Sequence, residues 1–80
     1  MNNQEKLIRA FTEALSIAPS LVTDSLMYQG ITEWDSISHM VLISQIEEAF
    51  DVSIDTDDVI DMSSVAKAKE ILSKYNVVFE

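Results

Sequence analysis

The chain contains one proline, Pro19, and one glycine, Gly30, and both fall in the interval from Ile17 to Asp35. The two strongest breakers of regular structure are therefore confined to a single connection, and the segments on either side are free to form helices. On those segments apolar residues recur at helical spacing. Leu7, Ile8, Phe11, Ala14 and Leu15 share one face of a first helix, expected to be capped at Asn2 or Asn3 and to stop before Pro19. A second helix is expected from Asp35 or Ser36 to about Phe50, with Leu42, Ile43, Ile46, Ala49 and Phe50 on its core arc. Past Asp51, a short turn of helix capped near Asp55 or Thr56 would carry Val59, Ile60 and Met62. A last helix from Ser63 or Ser64 to about Asn76 would bury Val65, Ala68, Ile71, Leu72 and Tyr75. No period-two alternation is long enough to suggest a sheet, so the expected class is all-α: three longer helices, one short one and a long first loop.

That loop is unusual in so short a chain, and its content is apolar: Leu21, Val22, Leu26, Tyr28, Ile31 and Trp34. A connection of this length and composition is packed against the core and is commonly functional. With 80 residues, 48% of them hydrophobic, the chain is expected to form one domain over residues 1–80, too small for a deep catalytic cleft. There is no cysteine and only one histidine, so neither a disulfide framework nor a zinc site is expected. The run Asp51–Met62 is rich in carboxylates but fails as a calcium loop. Counted from Asp51, the sixth position is Thr56 where glycine is required, and the twelfth is Met62 where glutamate is required. No metal site is expected.

The net charge is −9, and the five basic residues, Lys6, Arg9, Lys67, Lys69 and Lys74, all lie towards the two ends. The interval from Arg9 to Lys67 holds only acidic charge, which repels phosphate backbones. Nucleic acid and anionic membrane are excluded as partners, whereas basic protein surfaces are favoured. With no apolar run near the roughly 20 residues that span a bilayer, and charges in the N-terminal segment, a monomeric cytoplasmic protein is expected.

Chemistry concentrates at EWDSI, residues 33–37. Asp35 is suited to capping the second helix, and Ser36 would be displayed at its start, beside unpaired backbone N–H groups that favour a phosphate. His39, one turn on, could suggest a nucleophile and its base. The parts of a hydrolase are missing, however: no third group orients the imidazole and no glycine-rich loop supplies an oxyanion hole. His39 is therefore read as a hydrogen-bonded residue at the core margin. On the arc opposite the core lie Ile37, Met40, Val41, Ser44, Glu47 and Glu48, an apolar and acidic mixture suited to docking a partner.

The order of elements, and above all DSISHMVLISQIEEAFDVSI at residues 35–54, resembles the acyl carrier protein family, with its Asp-Ser-Leu motif at the start of an apolar-periodic helix that ends in acidic residues and Phe-Asp. The resemblance covers nearly the whole chain. It implies a small four-helix bundle whose Ser36 takes 4'-phosphopantetheine from coenzyme A through a separate magnesium-dependent phosphopantetheinyl transferase. The protein would be a non-catalytic carrier, holding an acyl or aminoacyl group as a thioester on that arm and presenting it to loading and modifying enzymes with basic docking surfaces. In this frame Asp35 is the motif partner of Ser36; Ile37, Met40, Val41, Glu47 and Glu48 are docking residues; and His39 lies at the margin of the cargo space. Glu33 and Trp34 precede the Asp-Ser pair where carriers of bulk fatty acid synthesis commonly show glycine, and Ser38 and Val41 stand where acidic residues are often found. A specialised pathway, polyketide, nonribosomal peptide or other acyl transfer, is favoured. The competing expectation is an unmodified acidic helical module that binds other proteins.

Overall fold

A computed structural model describes residues 2–79. Helix α1 is Asn3–Leu15, α2 is Ser36–Phe50, α3 is Thr56–Asp61 and α4 is Val65–Ser73. The expected set of four helices is present, and the long first connection contains a 3₁₀ turn, Pro19–Leu21, with the proline at its first position, where a missing N–H costs nothing. Asn2 caps α1 by accepting the Glu5 N–H at 2.8 Å, and Ser64 caps α4 by accepting that of Lys67 at 3.0 Å.

None of the three longer helices ends on glycine. Ser16, Asp51 and Asn76 each adopt the left-handed conformation, with φ of 56°, 55° and 68°. Past Ser73 the last helix tightens. Asn76 N–H donates to Ser73 O and Val77 N–H to Leu72 O, so regular α geometry stops short of the expected Asn76 although that residue does terminate the element.

The core is built from Leu7, Phe11 and Leu15 of α1, Leu42, Ile43 and Ile46 of α2, and Val65, Ala68, Ile71 and Leu72 of α4, with Trp34 and Met62 from the connections. Ala49 and Phe50, expected on the core arc of α2, are only half-buried. Phe50 is covered instead by the C-terminal tail: the Phe79 ring packs edge-on to it with centroids 6.0 Å apart, Val77 is buried, and Asn3 Nδ2 donates to Val78 O at 2.9 Å. The tail is thus a closing strap across α1 and α2. Deleting residues 77–80 is expected to cost about 2–3 kcal/mol, measured by urea unfolding, chiefly through exposure of Val77 and the Phe50 ring.

The first loop is stitched to the start of α4. Tyr28 N–H donates to Ser63 O, Val65 N–H to Leu26 O and Ala66 N–H to Asp24 O, while Lys69 pairs with Asp24 at 2.7 Å. The first amides of α4, orphaned by helix geometry, are thereby satisfied by loop carbonyls. Gly30 closes a turn whose N–H to Met27 O bond is 2.8 Å; a Cβ at Gly30 would come within 2.9 Å of that same oxygen, so close backbone approach selects glycine here.

Helix α3 is clasped to the end of α4. The buried Asp58 accepts from Lys74 Nζ at 2.6 Å and from the Tyr75 hydroxyl at 2.7 Å, and that hydroxyl accepts the Asp55 N–H at 3.1 Å. The bond from Lys74, then that from Tyr75, hold the Asp58 carboxyl below the usual carboxylate range. A carboxyl with a lowered folded pKa stabilises the fold above its unfolded value, near 3.9, and loses that contribution as pH falls through the lower folded value. The melting-temperature gap between the unaltered chain and Asp58→Asn is therefore expected to be widest near neutrality and to narrow as pH falls below about 4; a gap that is constant with pH would contradict it.

Candidate functional site

The end of the first loop is fixed by Trp34, which is wholly buried. Phe11 meets its ring edge-on at 5.1 Å and Tyr28 at 6.1 Å, while His39 stacks on it at 6.0 Å. Its one polar atom is satisfied, since Nε1–H donates to His39 Nδ1 at 2.9 Å. With Nδ1 accepting, the imidazole carries its proton on Nε2 and donates it to Val59 O at 2.8 Å. His39 thus joins the loop, α2 and α3, a hydrogen-bonded role in keeping with its half-buried position.

From this anchor the chain enters α2 through Asp35, whose extended backbone makes it the cap. One carboxylate oxygen accepts the N–H groups of Ile37 at 3.1 Å and Ser38 at 2.9 Å. In return the Ser38 hydroxyl accepts the Asp35 N–H at 2.9 Å and donates to Glu33 O at 2.6 Å. From the sequence, Ser38 is marked only as standing where acidic residues are often found; the signal for its capping role is an Asp followed three residues later by a side chain able to reach back. The amide of Ser38 and then its hydroxyl hold the Asp35 carboxyl below its ordinary range, so it is ionised at neutral pH.

Ser36 follows as the first residue of α2 and is exposed. Capping is performed by Asp35 and Ser38, and among the described residues the Ser36 hydroxyl has no hydrogen-bond partner. It lies on the rim of a groove of about 290 Å³ lined by Tyr28, His39, Met40, Val59, Ile60 and Met62. An exposed hydroxyl at the positive end of a helix of 15 residues fits a phosphodiester, whose charge the N-terminal amides stabilise.

The residues expected to dock partners are distributed unequally. Ile37, Met40 and Val41, one turn apart on α2, are 78%, 59% and 45% exposed. Glu47 is half-buried and its Oε2 accepts the Ile54 N–H at 2.8 Å, which ties the α2–α3 connection back to the helix. Glu48 is exposed but lines a separate groove against α1 with Lys6, Arg9 and Glu13. Ile60, which sequence reasoning counts among core contacts, is 76% exposed on α3 beside the groove of Ser36. Neighbours on a helix are turned about 100° from one another, and on α3 Val59 takes the half-buried side while Ile60 is left in solvent.

No helix among the described residues is long and apolar enough to cross a membrane. No curated protein and no solved structure gives a significant match to the chain. The family described as "phosphopantetheine attachment site", a family of carrier domains with 4'-phosphopantetheine held covalently, matches residues 5–72. The match runs from Glu5, in the first turn of α1, through the capped entry to α2 to all but the last residue of α4. A helical bundle of this order, an exposed serine at the head of its second helix and a family match over most of its length together establish that the chain belongs to the phosphopantetheine-attachment family of carrier proteins.

Proposed function

We propose that Ser36 is the attachment point of the phosphopantetheine arm, and that the protein carries an acyl or aminoacyl group on it for a specialised pathway. The observation that carries this reading is the uncommitted, exposed hydroxyl of Ser36 at the first position of α2, held in place by the Asp35–Ser38 capping box. When bound, the arm supplies the thiol on which a thioester forms; the chain has no cysteine of its own. What the protein contributes is placement. Asp35 fixes the first turn, the helix amides favour the phosphate, and Trp34 keeps the whole entry to α2 anchored in the core.

The test is direct. The purified chain, incubated with coenzyme A, magnesium and a broad-specificity phosphopantetheinyl transferase, is expected to gain the mass of one arm, located on Ser36 by peptide mass spectrometry. A gain elsewhere, or none, overturns the reading.

Partner enzymes are proposed to read the exposed apolar trio Ile37, Met40 and Val41, with acidic charge aligning basic partners from a distance. Val41→Lys is expected to slow modification by the transferase roughly ten-fold while changing stability by less than about 0.5 kcal/mol, as for a surface substitution. Paired loading kinetics and thermal melts check this; a collapsed melt would show that Val41 supports the core.

A further inference from the structure

The carrier reading leaves open where the cargo goes, and the surroundings of His39 answer that. The groove beside Ser36 is lined by His39, Val59 and Met62, with Val59 tied to α2 through its carbonyl. Neither imidazole nitrogen is free: Nδ1 receives the Trp34 indole N–H at 2.9 Å and Nε2 donates to Val59 O at 2.8 Å. The first bond links the ring to the loop, and the second draws α3 against α2. Directly beneath lies Trp34, 0% exposed, with Phe11 edge-on behind it. An apolar chain entering the bundle from Ser36 between α2 and α3 would have to break the part-buried bond from His39 to Val59 O, leaving that carbonyl without its donor, and would displace a ring that the Trp34 indole N–H holds in place.

We infer that His39 is the cargo-length determinant of this carrier: held by the Trp34 indole on one side, its ring latches α2 to α3 through the bond to Val59 O, which shuts the interior and restricts the carried group to a short acyl or aminoacyl unit held outside the bundle along the Ser36 groove. This rests on Ser36 being the attachment point. The groove has a volume of about 290 Å³, and two of the residues that line it, Met40 and Ile60, are exposed to solvent. A long aliphatic chain would leave most of its surface in water there, which disfavours it in proportion to the area left exposed. A short acyl group, or one ending in an amine or hydroxyl, suffers little. His39 contacts no reacting atom in this scheme; it is a specificity-determining residue that acts through closure.

The chain has no cysteine, so Ser36→Cys provides a single thiol at the attachment position. Ethyl or dodecyl methanethiosulfonate then adds a short or a long alkyl chain as a mixed disulfide, with methanesulfinate leaving. The readouts are the Trp34 indole N–H resonance, its exchange with solvent, and the melting temperature of each adduct. With the latch closed, the two adducts are expected to share the same indole resonance, to exchange within two-fold of one another, and to melt within about 2 °C. In Ser36→Cys/His39→Ala, the dodecyl adduct is expected to melt at least about 5 °C above the ethyl adduct, because the chain fills the opened space. The inference is overturned if the dodecyl chain shifts the indole resonance, slows its exchange ten-fold or raises the melting temperature while His39 is intact. That comparison stands even if the double variant fails to fold. It uses no transferase, so failure of enzymatic loading at Ser36 would refute the carrier reading without altering this result, and the reverse also holds.

Discussion

Trp34→Ala is expected to remove about 3–5 kcal/mol of folding stability, measured by urea unfolding followed by circular dichroism. The side chain is wholly buried, and its loss leaves a cavity between Phe11, Tyr28 and His39 that rigid neighbours cannot fill. It also strips His39 Nδ1 of its donor, orphaning a polar atom in the same place. A domain of this size has a stability of order 5–10 kcal/mol, so a loss on this scale moves the melting temperature by roughly 15–30 °C. Trp34→Phe separates the two causes. It keeps an aromatic ring against Phe11 but deletes the indole N–H, and is expected to cost about 1–3 kcal/mol. Equal losses for the two variants would show that the hydrogen bond, not the volume, dominates.

Ser36→Ala is expected to abolish attachment of the arm entirely while leaving stability within about 0.5 kcal/mol of the unaltered chain. The hydroxyl is exposed and capping does not depend on it, so nothing structural is lost with it. Asp35→Asn should behave differently. It keeps the shape of the cap but removes the charge that accepts the Ile37 and Ser38 amides, so both the melting temperature and the rate of loading should fall. The pair distinguishes a residue that is only modified from one that also positions it. Intact-mass kinetics and thermal melts on the same samples read both; a destabilised Ser36→Ala would mean that the hydroxyl helps hold the first turn.

Much of this was legible because it is local. Helix α2 is written in the spacing of Leu42, Ile43 and Ile46, and its start in the Asp35-Ser36 pair; both follow from one turn of helix geometry. The helix ends were harder, since Ser16, Asp51 and Asn76 take the conformation that glycine usually marks, and a sequence reader has no glycine there to stop at. Contacts across long separations were not legible at all. That Glu47 binds the Ile54 amide, that Val78 O receives Asn3, or that His39 reaches Val59 depends on where α3 and the tail come to rest, which no periodicity encodes. The docking arc shows the cost of ignoring this. A helical wheel groups Glu47 and Glu48 with Ile37 and Met40, yet one carboxylate is spent on the backbone and the other faces α1.

The stitching of the first loop to α4 divides the molecule into two cooperative units. Residues 24–28 share their hydrogen bonds with Ser63, Val65 and Ala66, so neither segment can open without releasing the other. The entry to α2 depends on different partners, the Asp35–Ser38 box and the packing of Trp34 on α1. In hydrogen exchange, the amides of Tyr28, Val65 and Ala66 should therefore report one opening event and those of Ile37 and Ser38 another. A partner enzyme that pulls on the loop would loosen the start of α4 in the same motion, while Ser36 stays where it is.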